Sequence, residues 1–276
     1  KRDDDLVNEH EPLLWSLASC ILLFLFIGGA MLIETGLSKA KNAANCVVKT
    51  IAILVTVTTV WSVAAGILFG WREEIHWPAL SLTHGLLAAT TAILATLGLA
   101  DRTRLRGTLV IALSIGLVAY PIVWLVGRCV SGWHAGIFDA SNTMSVHIVS
   151  AAGALAATSI TGPRLGKYYH TGESIALPGH NLPLTGLGLL LVWAGWMAFV
   201  TTSLDMEPIK LVRSVLNLQV AAGGGAIAAL VLTKSRFGKL DATLVFNGVV
   251  AGLVAVGPLC HRIPLLPALS IGILSG

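Results

Sequence analysis

Nine predominantly apolar stretches recur along this chain, at approximately 13–36, 44–70, 79–100, 107–127, 142–162, 183–203, 214–233, 242–260 and from 264 to the last residue. The first eight are long enough to cross about 30 Å of hydrocarbon as α-helix at about 1.5 Å per residue. No other feature restricts the fold so strongly, because lipid offers backbone N–H and C=O groups no partner and a helix satisfies them within each segment. Composition agrees, with 55% hydrophobic and 12% charged residues among 276 and a mean hydropathy of +0.81. A water-soluble domain does not reach such values. The chain is therefore expected to be an all-α integral membrane protein with about eight complete transmembrane helices. The ninth stretch is only about thirteen residues long at Gly276, too short to span, so the sequence is expected to stop inside a helix.

The flank of the first segment carries Asp3, Asp4, Asp5, Glu9 and Glu11. A signal peptide would be basic there. Alternate loops carry the cations: Lys39 and Lys41; Arg102, Arg104 and Arg106; Arg164 and Lys167; and Lys234, Arg236 and Lys239. The intervening loops hold Glu73, Glu74, Asp139, Asp205 and Glu207, with Trp71 and Trp77 as interfacial anchors. Cations mark the cytoplasmic side, so the N-terminus is expected outside, in the plasma (inner) membrane. The formal charge of +4 then reports topology and gives no reason to expect nucleic acid as a partner.

Chemistry-bearing patterns are few. Cys20, Cys46, Cys129 and Cys260 are widely spaced and read as small hydrophobes, which leaves no metal or cofactor site to expect. Gly223, Gly224 and Gly225 lie within an apolar helix and lack the Gly-Lys-Ser/Thr of a phosphate loop, so close helix packing is expected of them. Ser150 with Ala154 and Gly153 with Ala157 invite the same close approach. No nucleophile with a neighbouring base and no pair of acid–base carboxylates stands at a recognisable spacing, so an enzyme is not expected. One ionisable group does need explaining. His147 lies inside the 142–162 run, with Asp139 eight positions earlier at its entrance. An imidazole in hydrocarbon points by default to a polar pathway.

Several strings together resemble the ammonium transporter (Amt/Mep/Rh) family. They are Gly29-Ala30-Met31-Leu32-Ile33-Glu34-Thr35-Gly36-Leu37 with Lys39-Ala40-Lys41-Asn42; Ala100-Asp101-Arg102; Tyr120-Pro121; the Asp139 to His147 spacing; and Gly162-Pro163-Arg164-Leu165-Gly166. Pro178-Gly179-His180-Asn181-Leu182-Pro183-Leu184 is the most specific, followed by Trp193-Ala194-Gly195-Trp196 and Asn247-Gly248. The matches are collinear over nearly the whole chain. The resemblance implies an eleven-helix fold of two inverted repeats, here about 13–162 and an incomplete 183–276 within one membrane domain, and assembly as a homotrimer with a pore in each subunit. It also implies two facing pore histidines. His147 is the first, and the second belongs to a helix expected beyond residue 276. None of His170, His180 and His261 can replace it, since each is read in a loop or at a helix end. A cytoplasmic nitrogen-signalling partner would act through a C-terminal region that is likewise absent.

The implied substrate is ammonium. Its charge is costly to bring into a narrow apolar channel whereas ammonia is not, so deprotonation at the mouth is the expected route. A neutral imidazole both donates and accepts a hydrogen bond and so suits ammonia and a proton. By resemblance, the outer mouth recruits the cation through aromatic faces and a serine hydroxyl, which assigns Phe199 and Ser203, four positions apart on one helical face. Asp139 is implied as an organiser that stabilises the cation from behind. The other gating aromatic falls on Leu87, which has no ring quadrupole. The vestibule tryptophan falls near Arg128, where a cation facing the mouth would repel ammonium, and Trp124 or Trp133 are the alternative sources of a ring.

Plainer readings stand beside these. Asp139 is also placed to cap the helix starting near Asn142. His147, Phe199 and Ser203 could serve in packing alone. Glu34, near a helix end, is expected to be interfacial or paired, and His180 to shape a turn and a helix start. Three functions remain open: a conducting transporter, an ammonium-sensing domain coupled to a missing C-terminal module, and a non-conducting truncated subunit.

Overall fold

A computed structural model describes residues 2–69, 76–132, 139, 142–201 and 207–276. Each of the nine expected segments is helical. The helices are α1 (Arg2–Leu37), α2 (Ala43–Phe69), α3 (His76–Thr96), α4 (Leu105–Ser114), α5 (Tyr120–Gly132), α6 (Thr143–Thr161), α7 (Leu182–Thr201), α8 (Pro208–Phe237), α9 (Ala242–Val256) and α10 (Leu265–Ser275). Seven spans among the described residues are long and apolar enough to cross a membrane, while Ser81–Thr96 and Leu265–Ser275 are shorter apolar helices. Ile21, Ile67, Leu68, Leu155 and Ile160 are largely exposed, as lipid-facing side chains should be.

Two boundaries differ from the hydropathy edges, for one reason. Hydropathy marks where hydrocarbon ends, whereas a helix continues until a local signal stops it. Thus α1 begins at Arg2, ahead of the apolar edge at 13. α8 likewise runs past 214–233 at both ends: Pro208 opens it, where a missing N–H costs nothing, and Gly238 closes it in the left-handed conformation (φ 68°). The 107–127 segment is also not one regular helix. A π-turn, Ile115–Ala119, joins α4 to α5, and a Cβ at Gly116 would come within 2.9 Å of Val57 and 3.1 Å of the Ala88 carbonyl.

The chain divides into two compact units. One comprises Lys1–Phe26, Gly127–Met144 and Leu191–Gly276, the other Ile27–Val126 and Ser145–Leu190. In the first, α8, α9 and α10 pack backbone to backbone. A Cβ at Gly225 would meet the Gly248 carbonyl, one at Gly252 or Gly272 the Ala221 carbonyl, and one at Gly224 the Leu269 carbonyl. Of the expected glycine run only Gly223 departs, with open space around it. Asn217 stitches the far end of this group, donating to the Cys260 and Ile263 carbonyls at 2.8 Å each.

In the second unit four of the strings noted in the sequence, 29–42, 100–102, 162–166 and 178–184, converge at one end. Lys49, fully buried, lies 2.5 Å from both Glu34 carboxylate oxygens and donates to the Thr96 carbonyl at 2.8 Å. Glu34 also accepts from the Gly98 N–H at 3.0 Å. Asp101 accepts from Asn42 and faces Arg164 at 3.6 Å, and Arg102 donates to the Gly162 carbonyl at 2.9 Å. Across from these, the His180 and Asn181 amides bond the Ser38 and Gly36 carbonyls at 3.2 and 3.1 Å. The Asn181 side chain then caps α7 at the Leu184 N–H, so the Pro-Gly-His-Asn string docks on α1 and starts α7 together. His180 thus shapes a turn and a helix start, and Glu34 is paired, both as expected.

Candidate functional site

In the second unit, α3 and α6 run in the same direction. Ser150 Oγ donates to the Thr91 carbonyl at 3.1 Å, and one turn on, a Cβ at Gly153 would lie 3.2 Å from Ala95 and 2.7 Å from Ile115. The small residues of α6 therefore allow the close approach that their spacing suggests. Carried back one turn, this register brings position 147 to the level of Leu87. Leu87 is completely buried and His147 partly so.

One turn before Leu87 on the same helix is His84, which the sequence reading passed over. It is 7% exposed, and its Nδ1 lies 3.0 Å from the hydroxyl of the fully buried Tyr120. Its ring centroid is 4.5 Å from that of Trp124, and Trp61 flanks it at 6.4 Å. Trp124 is thus gathered with His84, Tyr120 and Trp61 at the α3–α5 side. The clue available in the sequence was the one that singled out His147, an ionisable group in an apolar run. Lys49, inside the 44–70 run, carried the same clue and was also missed.

In the first unit, Asp139 accepts from the Met144 N–H at 2.9 Å, and Asn142 turns the chain with φ 56°. The carboxylate thereby serves a free N–H at the start of α6, which is the capping role expected of it. Phe199 on α7 is completely buried, with ring centroids 5.9 Å from Phe26 and 6.3 Å from Trp196. A Cβ at Gly195 would strike the Phe26 backbone, so that glycine lets α7 press against α1 here. Ser203 and Trp133 lie outside the described residues, as does the side chain of Arg128, whose backbone belongs to α5. No group of His, Cys, Asp or Glu among the described residues could hold a metal ion.

The model of the Ammonium Transporter Family matches residues 14–276. The chain belongs to that family. Ammonium transporter Amt2 of Archaeoglobus fulgidus is 30% identical over 295 aligned positions, which cover 95% of this chain and 62% of that relative. The chain thus spans a little under two thirds of the length of that transporter. Two solved structures share the fold. A sensor Amt protein superposes with a TM-score of 0.84 at 22% identity, over 95% of this chain and 72% of its own. Rh50 of Nitrosomonas europaea, from the Rhesus protein family of channels, superposes with a TM-score of 0.77 at 21% identity, over 96% and 69%. The family model and that relative are named for ammonium transport, not for an enzymatic activity.

Proposed function

We propose that this chain forms an ammonium-conducting membrane domain, in which NH4+ gives up a proton at the outer mouth and NH3 passes an apolar constriction beside His147. The observation that carries the reading is the α3–α6 register set by Ser150 on Thr91 and Gly153 against Ala95, which extends to bring His147 to the level of Leu87, in a member of the ammonium transporter family. Leu87 closes the path to a hydrated cation by size and by lack of polarity. Desolvating the charge there costs several kcal/mol, and desolvating ammonia far less. The imidazole offers an acceptor to the N–H bonds of ammonia and a donor to its lone pair.

Roles for the other residues follow from their chemistry. Asp139 holds the first turn of α6 by its bond to Met144 and adds negative charge near the mouth. Phe199 offers an aromatic face and Ser203 a hydroxyl for recruiting the cation. At the α3–α5 side Trp124, packed on His84, is one candidate for the vestibule ring, and Trp133 is the other. Arg128 facing the mouth would oppose recruitment, and Leu87 leaves the second gating aromatic without a replacement. The working unit is a homotrimer in the plasma membrane with its N-terminus outside, built on inverted repeats that begin near 13 and 183, with a nitrogen-signalling partner at the cytoplasmic face.

Uptake of labelled methylammonium by the full-length protein in proteoliposomes tests this. Saturable uptake above empty liposomes is expected, with His147→Leu changing the rate on the order of tenfold, the worth of one hydrogen bond. No uptake rejects conduction. A sensor is the second reading, favoured by the aliphatic Leu87 at a gating position. Ammonium binding retained without uptake would select it.

A further inference from the structure

At one end of the second unit, three loops far apart in sequence bring their cations to a common place. A cavity of about 610 Å³ is lined by Arg102, Arg164 and Lys167 together with Thr158, Tyr168 and Leu177, and no acid is among its lining residues. A second cavity of about 320 Å³ adjoins it, sharing Arg102 and Arg164 and adding Lys39, Lys41 and Arg104. Its one carboxylate, Asp101, accepts from Asn42 through Oδ1, while its buried Oδ2 has no hydrogen bond and lies 3.6 Å from Arg164 Nε. The rule that puts cations on one side of a membrane requires only their number in each loop. It does not require them to line a cavity, where like charges repel.

The donors are moreover incompletely used. Arg102 spends one Nη1 bond on Gly162, yet its buried Nε has no acceptor. A buried donor on a permanently charged group is costly to leave unsatisfied. Arg164 meets Asp101 only at 3.6 Å, beyond hydrogen-bonding length. Guanidinium forks and an ammonium around a half-open cavity match tetrahedral oxyanions, above all phosphate. The surroundings are also amphipathic, since Leu165 is 85% exposed and Tyr168 and Tyr169 are 53% and 58% exposed beside the cations. Aromatic and aliphatic side chains next to basic ones fit the headgroup level of a membrane.

We propose that these adjoining cavities bind a phosphate-bearing anion, supplied either by an anionic phospholipid headgroup or by a soluble phosphate. Binding there closes the charge balance of the end at which α1, α2, α3 and the loop after α6 meet. The test uses the full-length protein in phosphatidylcholine nanodiscs. One arm titrates in phosphatidylglycerol and counts bound lipid by native mass spectrometry. The other adds inorganic phosphate against chloride at equal ionic strength and follows the unfolding midpoint. Arg164→Gln with Lys167→Gln is compared with Lys234→Gln with Arg236→Gln, an equal charge change in the other unit.

Each cation removed should weaken binding about fivefold, so the cavity double variant loses about 25-fold while the control pair keeps wild-type affinity. Lys167→Arg should retain binding. Saturable binding of phosphatidylglycerol alone supports a lipid headgroup, and binding of inorganic phosphate as well supports a soluble ligand. If the double variant fails to fold, Lys167→Gln alone carries the test, because its ammonium otherwise meets only the Ile175 carbonyl at 3.1 Å. The proposal is overturned if neither probe binds above the phosphatidylcholine and chloride baselines, or if the control pair weakens binding as much.

Discussion

The two units meet the same packing problem with different proportions of the same means. Around α8, α9 and α10, glycine and alanine bring backbones into contact, and Asn217 supplies the main side-chain stitch. Around α2, α3, α5 and α6, the contacts include a buried lysine–glutamate pair, a histidine–tyrosine bond and a serine hydroxyl on a neighbouring carbonyl. Lipid gives helices no hydrophobic reason to associate, so close van der Waals contact and interhelical hydrogen bonds are the two available sources of cohesion. The difference teaches where chemistry can reside. A seam of glycine carbonyls has no group to offer a solute, whereas the polar seam holds both His84 and His147.

If that contrast is right, the largest effect should come from the polar unit. Lys49→Met leaves Glu34 buried without its cation and should cost about 3–5 kcal/mol, seen as a large fall in the unfolding midpoint in detergent. Adding Glu34→Gln should recover much of it, because the cost lies in the orphaned charge. A loss equal in both variants would instead assign Lys49 a packing role. Next comes the glycine seam, where Gly225→Val would drive a side chain into the Gly248 carbonyl. Overpacking of this kind costs about 1–3 kcal/mol or more. Gly223→Val, directed to open space, should be neutral or slightly stabilising, since valine is the better helix former of the two. Equal losses at the two positions would sink the seam.

A smaller effect is expected on stability, though not on function, at His84. His84→Leu removes one bond to Tyr120 and should cost about 1 kcal/mol while altering methylammonium uptake. Unchanged uptake would confine His84 to packing. Smaller again is Ser150→Ala, which should cost about 0.6 kcal/mol by the scale of interhelical hydrogen bonds in membranes. A cost near zero would show that the α3–α6 approach depends on Gly153 alone.

Much of this arrangement was legible in the sequence, and the illegible part has a physical cause. Nine helical segments could be placed among the described residues because hydropathy reads burial in lipid directly, and signals such as Pro208 and Gly238 then displaced only their ends. Glu34 could be expected to be paired, but its partner could not be named. Lys49 is fifteen positions away, and the pairing depends on how α1 and α2 are folded back on each other. His84 stands as deep in its apolar run as His147 does in its own, but no acid at a matching spacing and no family string drew attention to it. Only the fold buries it against Tyr120 and Trp124. The π-turn at 115–119 left no periodic trace, since a single wide turn shifts the apolar face without interrupting it.

Last comes the aspartate that opens α9 in the glycine-packed unit, where the pH-dependent part of the effect is small. Asp241 accepts from the Thr243 hydroxyl at 2.6 Å and from the Thr243 and Leu244 amides at 2.8 and 3.3 Å. The Thr243 hydroxyl first, and these amides with it, hold the Asp241 carboxyl below its ordinary 3.8 against the opposing effect of desolvation. A carboxylate whose folded pKa is depressed stabilises the fold at every pH above its unfolded pKa, and that stability is lost as pH falls through the folded value. The loss should therefore begin near pH 4 and grow on further acidification. Because Asp241 is exposed, the effect will be small and screened by salt. Asp241→Asn keeps a side chain that caps well and cannot titrate, so it should flatten this limb of the pH profile while Asp241→Ala lowers stability by about 1 kcal/mol at neutral pH. If both variants retain the wild-type acid limb, the pH sensitivity belongs to groups other than Asp241.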